Sequence, residues 1–99
     1  MTRVMVRYQV HPDRVEDNIA LVRAVYAELA ALQPSRFRYT TYQCDDGVTF
    51  VHLATYDGAA PFADLAAFQR FKEGLEERCV QPPVRAELSE VGAFGGPQA

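Results

Sequence analysis

The chain is poor in thiols and lysine, and it has no long apolar run. Its 99 residues include two cysteines, Cys44 and Cys79, and one lysine, Lys72. The cysteines have neither CxxC spacing nor a clustered set of metal-type neighbours, so both are expected to be reduced thiols. Cys44 is expected to end a strand and Cys79 to end a helix. With only two distant histidines beside them there is no zinc-ligand spacing, and no metal site is expected. No serine or cysteine sits in a nucleophile-elbow or triad context. No apolar stretch reaches the roughly 20 residues that cross a bilayer, and the N-terminus lacks the charged-then-apolar pattern of a signal peptide. A cytoplasmic protein without a membrane partner is expected. The net charge of −3 gives no basic surface for phosphate backbones, so nucleic acid is not an expected partner.

What is present describes a folded chain. Hydrophobic residues make up 48% of it, and charge is balanced along its length. A single domain over residues 1–94 is expected, with a Gly-rich flexible tail at 95–99. So short a chain buries a limited share of its apolar surface, which favours help from a partner subunit.

Periodicity gives the element order. Val4, Val6, Tyr8 and Val10 alternate with Arg3, Met5, Arg7 and Gln9, predicting a strand with one apolar face. His11-Pro12 breaks it, and Asp13 with Glu16 resembles a capping box for the helix that follows. Val15, Ile19, Val22, Tyr26 and Leu29 repeat at helical spacing for roughly five turns, until Gln33-Pro34-Ser35. Arg36 to Cys44 predicts a second strand, with Phe37, Tyr39 and Thr41 on one face. Asp45-Asp46-Gly47 is a hairpin turn leading to a third strand, Val48 to Tyr56. Both faces of this strand are apolar, Phe50, His52 and Ala54 against Val51, Leu53 and Thr55. It is therefore expected to be central, with its facing left open. Pro61 starts a second helix with a Leu65, Phe68, Phe71, Leu75 stripe and a weak point at Gly74. Pro82-Pro83 stops it, and Val84 to Val91 is expected as the last strand.

The order βαββαβ predicts an α+β, ferredoxin-like fold: a four-stranded antiparallel sheet with two helices on one face. The other face then holds Met5, Val91 and Phe50 or Val51 beside Arg3, Arg7, Arg85 and Glu87. Apolar residues in the middle and ion pairs toward the rim predict a homodimer through the sheet face.

Within this topology the block from Val48 to Phe71 resembles the antibiotic-biosynthesis-monooxygenase-like family of dimeric α/β barrels. The matching features are Phe50-Val51 opening the third strand, Tyr56-Asp57 closing it, and Leu65 through Phe71 in the next helix. The resemblance implies a homodimer with a pocket between sheet and helices in each subunit. It also implies chemistry of the kind some members perform, oxidation of polycyclic phenols with oxygen and neither metal nor flavin. Where members often carry a Glu late in the third strand and a His opening the following helix, this chain has Ala54 and Asp64. Haem degradation, another activity in the family, is disfavoured because the chain has no tryptophan and no histidine on the second helix.

The expected function is that of a monooxygenase-like protein acting on a small apolar or phenolic molecule, against a non-catalytic ligand-binding or dimerisation module of the same fold. His52 is the candidate acid/base, since an imidazole titrates near neutrality; its competing reading is a histidine satisfied by a backbone carbonyl or a tyrosine. Tyr8 is the candidate orienting group, against plain core packing. Tyr39, Tyr56, Phe62, Phe68 and Phe71 are candidate substrate-binding residues, against the same alternative. His11 reads as an exposed loop residue. Arg36 and Arg38 can clamp an anion, against a solvated or dimer-bridging pair. An RNA-recognition domain shares the topology, but of its stacking aromatics only Phe50 has a counterpart, with Val48 and Met5 at the other two positions.

Overall fold

The computed structural model describes residues 1–95, so most of the tail expected at 95–99 lies outside the described residues. In chain order the elements are strand β1 (Thr2–Val10), a 3-10 turn (Pro12–Arg14), helix α1 (Val15–Leu32), strands β2 (Phe37–Gln43) and β3 (Thr49–Tyr56), a second 3-10 turn (Pro61–Asp64), short helices α2 (Ala66–Lys72) and α3 (Leu75–Arg78), and strand β4 (Cys79–Glu87). The four strands form one antiparallel sheet in the order β2-β3-β1-β4, the ferredoxin-like arrangement. The fold class expected from the sequence is the one observed.

β1 and β3 occupy the centre, paired Val6 to His52 and Tyr8 to Phe50. This register settles the facing of β3. Phe50, His52 and Ala54 are buried and point toward the helices, while Val51, Leu53 and Thr55 are half-buried on the other side. Tyr8, Val10 and Phe50 pack with Val22 and Val25 of α1 and with Leu65, Ala67 and Phe71 around α2. With Phe50 in this core, even the one stacking position of an RNA-recognition surface is lost. The hairpin before β3 is held by Asp46, whose carboxylate accepts from the Val48 and Thr49 amides and the Thr49 hydroxyl. Gly47 supplies the positive φ of 81° that the turn requires.

Four expectations need correction. α1 is not capped by Asp13, which lies in the 3-10 turn; Arg14 is at the N-cap and makes no side-chain cap bond. The second helix is split at Gly74 (φ 71°), a conformation that ends α2 and lets the chain turn before α3. α2 is instead anchored at its start by Glu28 of α1, whose carboxylate accepts from the Ala67 amide at 2.8 Å. β4 starts at Cys79 rather than Val84 and stops at Glu87, leaving Val91 outside it. As an edge strand it tolerates Pro82-Pro83, because the register slips by one residue there between the Arg7–Val84 and Gln9–Gln81 pairs. That bulge sets the facing of the whole strand. Arg85 lies opposite Val6 and Glu87 opposite Val4, on the helix side of the sheet. Neither belongs to the outer face where the alternation had put them; Val84 and Ala86 do.

Candidate functional site

His52 stands in the middle of a buried hydrogen-bonded chain. Its Nε2 is 2.7 Å from the Tyr8 hydroxyl, and its Nδ1 is 2.7 Å from the Tyr39 hydroxyl and 3.1 Å from Thr41 Oγ1. Beyond Tyr8 comes Asn18 of α1, whose Nδ2 donates to the Tyr8 oxygen at 2.9 Å. Beyond Asn18 comes Arg78 at the end of α3, whose Nε donates to Asn18 Oδ1 at 3.3 Å. On the other side Thr41 pairs with the Tyr26 hydroxyl at 2.8 Å. The chain thus links three strands and two helices through one imidazole: Thr41 lies directly opposite His52, and Tyr8 and Tyr39 lie on the same face diagonally from it, opposite Phe50 and Ala54.

Donor and acceptor rules give this chain a direction. A guanidinium can only donate, so the Asn18 atom facing Arg78 is the carbonyl oxygen, and the amide nitrogen faces Tyr8. The Tyr8 oxygen thus accepts from Asn18 and spends its own proton on His52 Nε2. Nε2 must then carry the lone pair, and Nδ1 the proton that it donates toward Tyr39 and Thr41. This tautomer follows from satisfying every buried group in the network. Among the described residues no buried side-chain polar atom lacks a partner.

Burial sets the protonation states. Desolvation pushes the His52 pKa down from 6.5 to about 4, so the imidazole is neutral at physiological pH. Desolvation also pushes Tyr8 and Tyr39 well above the usual phenol range, with Asn18 and Arg78 partly offsetting this at Tyr8. Arg78 is 2% exposed, and among the described residues no carboxylate is within ion-pair reach of it. Its Nη1 and Nη2 donate to the carbonyls of Glu73 and Phe71, and it lies 5.4 Å over the Phe71 ring.

The polar chain forms one wall of a cavity of about 450 Å³ between sheet and helices. Val4, Val6, Tyr8, Tyr39, His52, Ala54 and Tyr56 line it from the sheet, Phe62, Phe68, Phe71, Lys72 and Leu75 from the helical side, and Pro83 and Arg85 from β4. The volume suits a molecule of two or three fused rings, and the lining is overwhelmingly apolar. Phe62 stacks on Phe68 with centroids 4.4 Å apart and meets Tyr39 edge-on at 5.1 Å. Ala54, where a larger polar side chain would intrude, leaves space beside His52.

All seven candidate residues, His52, Tyr8, Tyr39, Tyr56, Phe62, Phe68 and Phe71, line this one cavity. His11 is exposed at the end of β1. Arg36 pairs with Asp57 at 3.1 Å on the opposite side of the sheet from His52, and Arg38 is exposed there. Two members of the site, Asn18 and Arg78, are not among the candidates that the sequence favours. Asn18 carried a faint signal, a polar residue at the border of an apolar helical stripe; Arg78 carried none, since it lies in a run of charge that reads as solvated. No group of three or more His, Cys, Asp or Glu side chains among the described residues is arranged to hold a metal ion. No helix among them is long and apolar enough to cross a membrane.

The sequence matches no family model and no curated protein. The structure does have relatives. It superimposes on an antibiotic biosynthesis monooxygenase with a TM-score of 0.73 at 16% identity, covering 93% of this chain and 100% of the other. Rv0793 from Mycobacterium tuberculosis gives a TM-score of 0.73 at 18% identity over 95% of this chain and 98% of its own. SnoaB from Streptomyces nogalater, a cofactor-independent oxygenase, gives 0.61 at 17% identity over 96% of this chain and 97% of its own. At such identities the likeness is one of fold. The chain has the antibiotic biosynthesis monooxygenase fold, as the block from Val48 to Phe71 led one to expect, and proteins of that fold include a cofactor-independent oxygenase.

Proposed function

We propose that this protein is a cofactor-independent monooxygenase that takes a small, apolar phenol into the cavity between sheet and helices and oxidises it with dioxygen. The observation that carries the reading is the buried Tyr8–His52 pair, 2.7 Å apart, opening on an otherwise apolar cavity. The proton of the phenol passes to the Tyr8 oxygen while Tyr8 hands its own proton to His52 Nε2. The resulting phenolate, electron-rich and shielded from water, reacts with dioxygen. One oxygen atom becomes a quinone carbonyl of the ring and the other leaves as water, the phenol itself giving up the two hydrogens and four electrons that the reaction requires. Moving a proton from a phenol of pKa ~10 to an imidazole near 4 is uphill by about 8 kcal/mol. An enzyme turning over at ~10 s⁻¹ has a barrier of roughly 16 kcal/mol, so the step is affordable. Tyr39, Tyr56, Phe62, Phe68 and Phe71 hold the rings.

The second reading is a non-catalytic binding module. It draws on the saturation of the polar chain, which leaves no unpaired buried side-chain group among the described residues waiting for a ligand. An oxygen electrode separates the two. With a panel of polycyclic phenols the first reading predicts uptake that falls at least 100-fold in His52→Ala and in Tyr8→Phe. Uptake unchanged in both variants removes the acid/base assignment. Binding of the phenols without uptake establishes the module.

The outer sheet face supports a homodimer. Met5, Val51 and Leu53 are only half-buried there, and Val84 and Tyr42 are exposed. Arg3, Arg7 and Arg38 surround them. Sedimentation at micromolar concentration is expected to give twice the chain mass. The free thiols Cys44 and Cys79 fit the reducing environment of the cytoplasm, where we place the protein.

A further inference from the structure

We propose that the molecule bound in this cavity carries a carboxylate, held at the cavity mouth between Lys72 and Arg85 while its aromatic body lies against Phe62, Phe68 and Phe71. The inference rests on the reading of the cavity as a ligand site and adds the charge of its occupant. The chain has 13 acidic and 10 basic residues, yet among the described residues no Asp or Glu lines this cavity, and the two charged side chains that do are both cations.

Each cation reaches the mouth through a break in regular structure. Lys72 ends α2, two residues before the turn at Gly74. Its Nζ lies 5.7 Å over the Phe68 ring, which is itself part of the cavity wall. Among the described residues no carboxylate is within ion-pair distance of Lys72; Glu76 and Glu77 share a shallower neighbouring cleft with it and do not line the cavity. Arg85 is turned to the inner face by the bulge at Pro82-Pro83, opposite Val6. Its nearest acid is Glu87, reached only at 4.0 Å with both side chains more than half exposed, a contact that a bound carboxylate can replace. Behind the cavity wall, buried Arg78 adds a third positive charge that no carboxylate among the described residues pairs with. Single-sign charge around low-dielectric walls raises the local concentration of an oppositely charged ligand and orients it. A neutral hydrocarbon gains nothing from this arrangement; an aromatic carboxylate gains at its charged end what the rings cannot give it.

The test is calorimetric titration with two probes of the same shape, 2-naphthoate and neutral 2-naphthamide, at neutral pH and low salt. The naphthoate is expected to bind at least tenfold more tightly. Its advantage is expected to shrink as salt is raised, and to fall below about twofold in the Lys72→Met/Arg85→Gln double variant, while the affinity for naphthamide stays within about twofold of wild type. Thermal melts of both proteins monitor folding, and each exposed cation can also be replaced singly. Equal binding of the two probes to the wild type overturns the charge inference and leaves the cavity intact as a ligand site. A preference that survives in the double variant overturns the assignment to Lys72 and Arg85. Binding of neither probe overturns the inference together with the reading of the cavity beneath it.

Discussion

The two faces of the central strands are built from neighbouring residues and have opposite characters. On the inner face, Val4, Tyr8, Phe50, His52 and Ala54 are buried, and their polar atoms are bonded into one chain that ends at Arg78. On the outer face, one residue along, Arg3, Met5, Val51 and Leu53 are half-exposed, and no helix or strand among the described residues covers them. Hydrophobicity does not distinguish the faces, since Val51 and Leu53 are as apolar as Phe50 and Ala54. Partners do. Internal polar partners make the inner face a place where a ligand meets fixed dipoles. On the outer face the ion pairs, such as Arg3–Glu90 and Arg36–Asp57, lie around a half-exposed apolar centre, which makes it a surface suited to a second copy of itself.

Arg78→Met breaks the inner face at its anchor and carries the largest expected effect. Asn18 Oδ1 and the carbonyls of Phe71 and Glu73 lose their donor. At ~1–3 kcal/mol per unsatisfied buried acceptor, partly relieved by water, a loss of about 4 kcal/mol is expected in urea denaturation. A loss under ~1 kcal/mol would mean that the chain does not hold the face together.

Acid is the next lever. His52 has a pKa of about 4 when folded against 6.5 when free. The unfolded state therefore binds more protons between these values. Stability from keeping His52 neutral is complete above about pH 6.5 and is lost as pH falls toward 4, an amount on the order of 3 kcal/mol. His52→Gln starts less stable but is expected to lack this share of the acid sensitivity. Parallel stability–pH curves for the two proteins would falsify the neutral, buried state.

The outer face is broken by Leu53→Lys, which adds a cation near Arg3, Arg7 and Arg38. Burying it in a paired interface is expected to weaken association at least 100-fold, about 2.7 kcal/mol, in sedimentation velocity. Ligand affinity on the inner face should stay within about twofold. Loss of both together would show that the faces do not work separately.

Asn18→Asp is the smallest change and the most specific. Its carboxylate can only accept, so the Tyr8 proton turns toward it and the Tyr8 oxygen accepts from His52 instead. The His52 proton then moves from Nδ1 to Nε2, with a stability change of about 1 kcal/mol or less, because the new carboxylate also pairs with Arg78. Imidazole ¹⁵N shifts report the tautomer directly. An unchanged tautomer would show that Arg78 and Asn18 do not set the direction of the chain.

How much of this was legible depended on whether a residue's role is local. The alternation of Val4 to Val10 and the Asp45-Asp46-Gly47 turn follow from nearest neighbours, and the element order followed from them. The facing of β3 did not, because both faces are apolar and only pairing with β1 decides between them. Arg85 and Glu87 were misplaced because a bulge at two prolines depends on the partner strand. The seven cavity residues could be named because aromatic and imidazole groups on apolar faces converge in this topology. Arg78 could not, since an arginine is buried only where a particular set of carbonyls happens to receive it, and that set is assembled by tertiary structure.

The central claim is that a ligand binds on the inner face, beside His52, and leaves the outer face untouched. Titration of the ¹⁵N-histidine, methyl-labelled protein with 2-naphthol tests it most directly. The chain has only two histidines, and His11 is exposed at the far end of β1, so the His52 ring signals are easily assigned. Saturable shifts of the His52 ring nitrogens, with the methyl groups of Val51, Leu53 and Met5 unmoved, are the predicted result. Shifts of those methyl groups with His52 unmoved would contradict it.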